Sequence, residues 1–406
     1  MTIHRPSDEK QTAEAVAWAV GAGQSFEIVA GGSKRALGRP VKAAHLLDVS
    51  ALSGIIDYEA AELVLTARPA TPLAVIEREL AAKRQMLAFE PPDWRALLGS
   101  SGEPTLGGAL ACNLAGPRRV RGGAPRDYFL GFAAVNGFGD LWKAGGKVVK
   151  NVTGYDLMKL QAGAFGTLSV LTEATVKVMP RPETERTILL HALSDEVAVQ
   201  TMSRALNTPF EVSAAAHLPL AAARRSKIGE AGRGRGAVTA VRLEGPRPSV
   251  AYRALAIEEI FGRGSHVEDA ASAQFWKEVG DVRPLLPEGA WIVWRLCPTP
   301  SLAADPVAEI RASFPSAEAF FDWGGGLVWL SLDKDEAGPD AGARAVRDAV
   351  RRAGGHATLI VAPEATREKT PVFEPLDGAL AALTARIKTN FDPKGVLNPG
   401  RMRQGE

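Results

Sequence analysis

A chain of 406 residues, 46% of them hydrophobic, is long enough for two or three domains with a sizeable core. Its 48 lysines and arginines nearly balance 46 aspartates and glutamates, and a net charge of +2 excludes a broad attraction to nucleic acid or an anionic membrane. Cys112 and Cys297 lie far apart and cannot alone hold an iron–sulfur cluster or a structural zinc, and none of His4, His45, His191, His217, His266 and His356 falls at HxxH or HExxH spacing.

The opening MTIHRPSDEK is polar and charged, unlike a secretory leader, and no apolar run reaches the roughly 18–20 residues of a membrane span. A cytoplasmic protein is expected, peripheral at the inner face of a membrane at most. From Asp8 to Val20, the positions Ala13, Val16, Ala17 and Val20 form a helical stripe that Gly21 and Gly23 stop. A short strand, Phe26 to Ala30, runs into GGSKRALGRP, Gly31 to Pro40. That junction is either a phosphate cradle, with backbone N–H groups beside Ser33 and Lys34, or a plain tight turn. Its spacing matches neither GxxxxGK[ST] nor GxGxxG. LLDVSAL, near Leu46, and ELVLTA, Glu62 to Ala67, read as strands. Thr71 and Pro72 open a helix with Leu73, Ile76 and Leu80 inward.

The stretch Leu97 to Asp127 is dense in glycine and carries Thr105, Asn113, Arg118, Arg119 and Arg121. So much glycine costs backbone entropy, which favours a wrapping segment for a phosphate-bearing cofactor over packing alone. The arginines read equally as solvated charges. Phe129 to Gly146 suggests a hairpin. Gly145 to Pro180 then passes Lys147, Lys150, Asn151 and the turn at Gly163 and Gly166. It ends in a strand whose even positions, Leu168 to Val178, are mostly apolar.

After Pro180 strands and helices alternate. The pattern gives strand 186–192, helix 195–206, strands 211–217 and 237–243, helix 249–261 and a strand near 265–269. The order recurs as strand 290–296, helix 303–313, strands 317–322 and 327–332, helix 341–353 and strand 356–362. Both halves are βαββαβ and could share one antiparallel sheet. Arg224 to Gly236 reads as a mobile loop. A last helix, Leu376 to Lys388, carries Leu376, Ala379, Leu380, Leu383 and Ile387 on one stripe before the irregular NFDPKGVLNPGRM.

Four segments in order, GGSKRALG, PTLGGALACNLAG, KNVTGYDLMKLQAGAFGTLSVLTE and FDPKGVLNPGRM, resemble the FAD-binding fold of the vanillyl-alcohol oxidase/PCMH type along essentially the whole chain. KNVTGYDL and EPPDW are most similar to the FAD-binding subunits of bacterial glycolate oxidases. The resemblance implies an α+β fold with a two-subdomain PCMH-type FAD-binding domain over residues 1–180. It adds an α+β cap or substrate domain of duplicated, ferredoxin-like βαββαβ pattern over 181–375. A C-terminal helix and tail, 376–406, would return to the FAD domain. By motif match, Gly31, Gly32, Ser33 and Lys34 would cradle the pyrophosphate. Thr105, Leu106, Gly107, Gly108 and Asn113 would line the pyrophosphate and flavin edge. Gly163, Gly166, Thr167, Leu168 and Val170 would run beside the adenosine and ribityl part, and Asn398 and Arg401 would approach the ring. With no histidine in any of these segments, FAD is expected to be non-covalent.

The implied reaction is oxidation of a small 2-hydroxy acid, glycolate to glyoxylate. Arg295 is the candidate for the substrate carboxylate and Thr299 its neighbour at a similar spacing to related dehydrogenases; an ordinary cap ion pair is the other reading of Arg295. Related catalytic chains carry a histidine-rich metal site in the cap. Here no histidines stand at ligand spacing, so no metal is expected and no general base is identified. Without clustered cysteines, electrons would leave through a second FAD-binding subunit and an iron–sulfur subunit. The alternatives are a self-sufficient FAD-dependent 2-hydroxy-acid or sugar oxidoreductase, and a scaffold that binds no flavin.

Overall fold

The computed structural model describes residues 2–147, 154–234, 236–286 and 291–405. Lys150 and Asn151, and Ala290 at the start of an expected strand, lie outside the described residues. Strands β1 (Thr2–His4), β2 (Phe26–Val29) and β3 (His45–Asp48) form a parallel sheet in the order β1-β3-β2. Helix Glu9–Ala22 packs on it. Asp8 caps the helix by accepting the Gln11 N–H at 2.8 Å, and Gly23 ends it in the left-handed region. Val16 and Ala19 from the helix meet Phe26 and Leu47 in one small core, with Ala13 and Val20 at its margin, whereas Ala17 of the predicted stripe is exposed.

Strands β4 (Ile55–Glu59) and β5 (Val64–Ala67) start a second, antiparallel sheet, and β6 (Gln85–Met86) stands apart. The expected hairpin forms β7 (Phe129–Asn136) and β8 (Leu141–Gly145), and β9 (Ser169–Lys177) completes the order β4-β5-β9-β7-β8. β10 (Met179–Pro180) pairs with β6. A register break opposite Ala133 and Ala134 splits the alternation of β9. Val170 therefore joins the core of the parallel sheet, while Ala174, Val176 and Val178 join Leu73, Ile76 and Leu80 in the next one.

The second half follows the expected order twice. β11 (Thr184–His191), helix Asp195–Leu206, β12 (Ala214–Leu218), β13 (Val238–Gly245), helix Arg247–Phe261 and β14 (Ser265–Glu268) make one unit. β15 (Trp291–Cys297), helix Ala304–Ser313, β16 (Glu318–Asp322), β17 (Leu327–Asp333), helix Ala343–Arg352 and β18 (His356–Val361) make the other. They fuse into one eight-stranded sheet, β14-β11-β13-β12-β16-β17-β15-β18, joined at the register pair His217 and Phe321. Strand alternation gives the sheet two apolar faces. Ile188, Trp294, Phe321 and Leu330 pack under the helices, and Leu189, Val293, Phe320 and Trp329 face Trp94 and Leu97 of the first half.

Two readings change. The expected mobile loop after Arg224 instead contains the short helix Gly229–Gly232, because Arg225 pairs with Glu318 and Ser226 donates to Glu278. On helix Gly378–Phe391 the apolar stripe is not the anchored side: Leu380 and Leu383 are 47% and 48% exposed. What holds that helix is buried Lys388, whose ammonium donates to Asp392 at 2.6 Å, to the Thr167 carbonyl at 2.7 Å and to the Leu397 carbonyl at 3.2 Å.

Candidate functional site

The C-terminal tail threads back along β2. The Phe26 N–H donates to the Val396 carbonyl at 2.8 Å, and the Ile28 N–H donates to Asn398 Oδ1 at 2.8 Å. Asn398 in turn donates to the Phe165 carbonyl at 2.9 Å, tying the loop before β9 to the same place. Arg401 donates to the Arg35 and Leu37 carbonyls and reaches Glu27 at 3.2 Å, and Glu27 also holds Arg35. Four segments remote in sequence are thereby drawn around one cleft.

Gly31, Gly32, Ser33, Lys34, Thr105, Gly107, Gly108, Gly166, Val170, Asn398 and Arg401 line this cleft, as the sequence predicts of a shared site. Leu106, Asn113, Gly163, Thr167 and Leu168 do not. Leu106 is on the core side of helix Leu106–Cys112 and Leu168 is buried. Gly163 donates its N–H to Leu110, and the Thr167 hydroxyl donates to the Ala164 carbonyl at 2.7 Å, so both shape the loop from behind. Asn113 caps that helix in the left-handed region and lines a second, smaller cavity. Asn398 and Arg401 stand in the wall with their polar groups committed to backbone, so they position it. Cleft residues absent from the sequence reading, such as Ile28, Val49, Pro69 and Cys112, are apolar or weakly polar and carry no motif signal.

The glycines act in two ways. A Cβ on Gly31 would lie 2.0 Å from the Glu103 carbonyl oxygen, so this position lets two loops touch. A Cβ on Gly108 would meet only Thr105 Oγ1 at 3.2 Å and Lys34 beyond it, so its missing side chain leaves the cleft open. Thr105 caps helix Leu106–Cys112 by accepting the Gly108 N–H at 3.2 Å. Lys34 is half-buried, and desolvation pulls its ammonium below the usual lysine range. Its Nζ donates to Ser33 Oγ at 3.2 Å, and among the described residues it makes no ion pair. A desolvated cation without a carboxylate partner, facing an apolar cleft, suits an anionic ligand.

Arg295 lies on the face of β15 that meets the first half, with its guanidinium 5.0 Å from the Trp323 ring centre; Arg119 sits 4.8 Å from the same ring. Neither makes an ion pair among the described residues, so the ordinary ion-pair reading of Arg295 is not what the structure gives. Thr299 is exposed and donates its N–H to the Ala353 carbonyl, because Pro298 and Pro300 carry the chain off the sheet. It is not beside Arg295 in the cavity. Among the described residues, no group of three His, Cys, Asp or Glu side chains could hold a metal ion.

The EPPDW stretch is the seam between the halves. Glu90 accepts from Arg242 at 2.8 and 3.1 Å and from Arg118 at 3.0 Å, while Arg118 also pairs with Glu244. The Asp93 N–H donates to Asp281, and Trp94 Nε1 donates to the Gly280 carbonyl and meets Trp329 edge-on at 5.3 Å. Burial would raise Glu90, but the charges of Arg242 and Arg118 overcome it and hold it at about 2.

A family model described as FAD binding domain matches residues 2–145. The chain is 35% identical over 371 residues to glycolate oxidase subunit GlcE of Escherichia coli (strain K12), covering 91% of this chain and 90% of that protein. It is 34% identical over 164 residues to glycolate oxidase subunit GlcD of Bacillus subtilis (strain 168), covering 40% of this chain and 33% of that one. Among solved structures, 4-ethylphenol oxidase from Gulosibacter chungangensis superposes with a TM-score of 0.73 at 13% identity, covering 99% of this chain and 88% of that one. Alkyldihydroxyacetonephosphate synthase gives 0.69 at 15% identity, covering 98% and 76%. These two show the fold alone: a mixed α/β chain of the PCMH-type FAD-binding class. The cleft fits FAD by its own features, with an unpaired half-buried lysine, a side-chain-free position at Gly108 and apolar walls at Ile28, Val49 and Val170.

Proposed function

This chain belongs to the family of glycolate oxidase subunit GlcE and carries an FAD-binding domain, and on that premise we propose that it is the FAD-carrying subunit of a glycolate dehydrogenase complex. It oxidises a small 2-hydroxy acid, glycolate, to the 2-oxo acid glyoxylate. Bound FAD supplies a two-electron acceptor for that chemistry. The carrying observation is the cleft itself, lined by segments remote in sequence around a half-buried lysine that makes no ion pair among the described residues. Lys34, Ser33, Thr105, Gly107 and Gly108 face the phosphates. Gly166 and Val170 flank the adenosine and ribityl part, and Asn398 and Arg401 brace the wall. No histidine lines the cleft among the described residues, which suits non-covalent FAD. Arg295, unpaired and next to a cavity that adjoins the cleft, holds the substrate carboxylate.

We read the chain as an FAD domain over 1–180, a cap over 181–375 and a returning helix and tail over 376–406, a division that the separate sheets support. Electrons pass to a GlcD-like FAD subunit and onward to an iron–sulfur subunit. The similarity to both GlcE and GlcD supports the pairing of two flavin chains. No described helix is long and apolar enough to cross a membrane, which agrees with a cytoplasmic site, peripheral at most. The test is direct. Purified chain should show a flavin spectrum and bind glycolate. Arg295→Ala should keep the flavin and weaken glycolate binding at least about tenfold, the scale of a charge-assisted hydrogen bond. A colourless chain that cannot be reconstituted with FAD would remove the reading.

A further inference from the structure

Between the C-terminal end of helix Leu106–Cys112 and the inner face of the cap sheet lies the second, smaller cavity. Cys112 lines both it and the main cleft, so the two adjoin. Arg295, Asn113 and Asp322 face into it. Asp322 ends β16 and is 1% exposed. Its Oδ1 accepts the Trp323 N–H at 2.7 Å, and among the described residues it makes no other hydrogen bond and no ion pair. A buried carboxyl without a salt bridge is costly to keep in a core and belongs where a proton must be handled. Resting on the reading of this chain as a 2-hydroxy-acid oxidoreductase, we propose that Asp322 takes the hydroxyl proton of a 2-hydroxy carboxylate whose carboxylate is held by Arg295.

The atoms balance. The substrate O–H bond breaks and its proton goes to an Asp322 oxygen. The freed electron pair completes the C=O bond, and the α-hydrogen leaves with its bonding pair to the flavin, the oxidant of this family. The surroundings suit the role. Burial, opposed by the Trp323 N–H, reinforced by Glu90 and opposed again by Arg242 and Arg295, pushes Asp322 up to about 7. The other titratable groups near it are Arg119, 4.8 Å from the Trp323 ring centre, and the Cys112 thiol, which burial raises to about 11 and keeps neutral. His217, on the neighbouring β12, is engaged by Thr239 and Asp195.

The experiment uses the FAD-loaded chain and oxalate, a dicarboxylate with no α-hydrogen to lose, followed by calorimetry at pH 7.5 in buffers of different ionisation enthalpy. An anion bound beside Asp322 favours its protonated form, so the wild type should take up a proton fraction on binding. Asp322→Asn keeps an oxygen for the Trp323 N–H. It should retain flavin, bind oxalate at least several-fold tighter and take up no proton. Reduction of its flavin by glycolate should slow by roughly 10²–10⁴-fold, the usual worth of general-base catalysis. Equal proton uptake by wild type and Asp322→Asn overturns the assignment of Asp322 while leaving the oxidoreductase reading intact. No oxalate binding by the wild type removes the carboxylate site and this proposal with it.

Discussion

Gly108 and Lys34 show how two side chains, one missing and one unpaired, define a ligand. A Cβ on Gly108 would meet Thr105 Oγ1 at 3.2 Å and Lys34 Nζ at 3.7 Å, so Gly108→Val should crowd the cleft side of the helix rather than its core side. Valine is no worse than glycine inside a helix, so the fold should hold. The expected outcome is a far-UV spectrum and melting temperature near wild type with flavin content down at least about tenfold. Full flavin content in that variant would mean the phosphates lie elsewhere. Lys34 makes the complementary case. Burial already disfavours its charge, so Lys34→Met should stabilise the protein without flavin while weakening FAD binding. Losing one charge-assisted contact corresponds to roughly 1.5–3 kcal/mol, about 10–150-fold in affinity. Titration of the stripped protein with FAD reads the affinity, and thermal melting of the same sample reads the stability.

At the scale of elements, the segment from Glu90 to Trp94 joins the two halves by charge as well as packing. Arg242 is fully buried, and Glu90→Gln would remove its two-oxygen ion pair, leaving the neutral hydrogen bond to Ser213 Oγ at 3.1 Å and the longer contact to Glu244 at 3.8 Å. Removing one partner of a buried pair typically costs about 3–5 kcal/mol, and denaturant unfolding should show a loss of that order. The pH sign follows from the lowered value of Glu90. Its contribution is complete above its ordinary 4.5 and is lost as pH falls toward about 2. The gap between wild type and Glu90→Gln should therefore be widest at neutral pH and close in acid; a gap that persists at pH 2 would mean the charge is not what joins the halves. Composition and periodicity could foresee the elements here but not the seam. The duplicated βαββαβ order was legible because each strand and helix has its own apolar period. Glycine clusters likewise marked Gly31 to Lys34, and Thr105, Gly107 and Gly108. Asp322 and Trp323 were not legible, since a lone acidic residue at a strand end looks like any turn until the sheet turns it toward Arg295. Thr299 misled for the reverse reason: its spacing from Arg295 suggested a pair, and the flanking prolines break it.

For the molecule as a whole, the question is where electrons go after the flavin. The chain holds two cysteines, both free, and burial keeps Cys112 a neutral thiol at about 11. No cluster of metal ligands exists among the described residues. A flavin held in this cleft can accept one electron pair at a time and must then hand it on. Mixed anaerobically with excess glycolate, the isolated FAD-loaded chain should bleach by one equivalent and stop. Adding the proposed GlcD-like and iron–sulfur partners with a dye as terminal acceptor should convert this single event into sustained turnover, read as dye reduction continuing well beyond one equivalent. The dye should be reduced slowly, if at all, by the isolated chain, because the cleft places its ligand among buried walls such as Val170 and Ser33. Sustained dye turnover by this chain alone would instead favour a self-sufficient oxidase, and the two outcomes differ in the same cuvette by whether partner subunits change the slope.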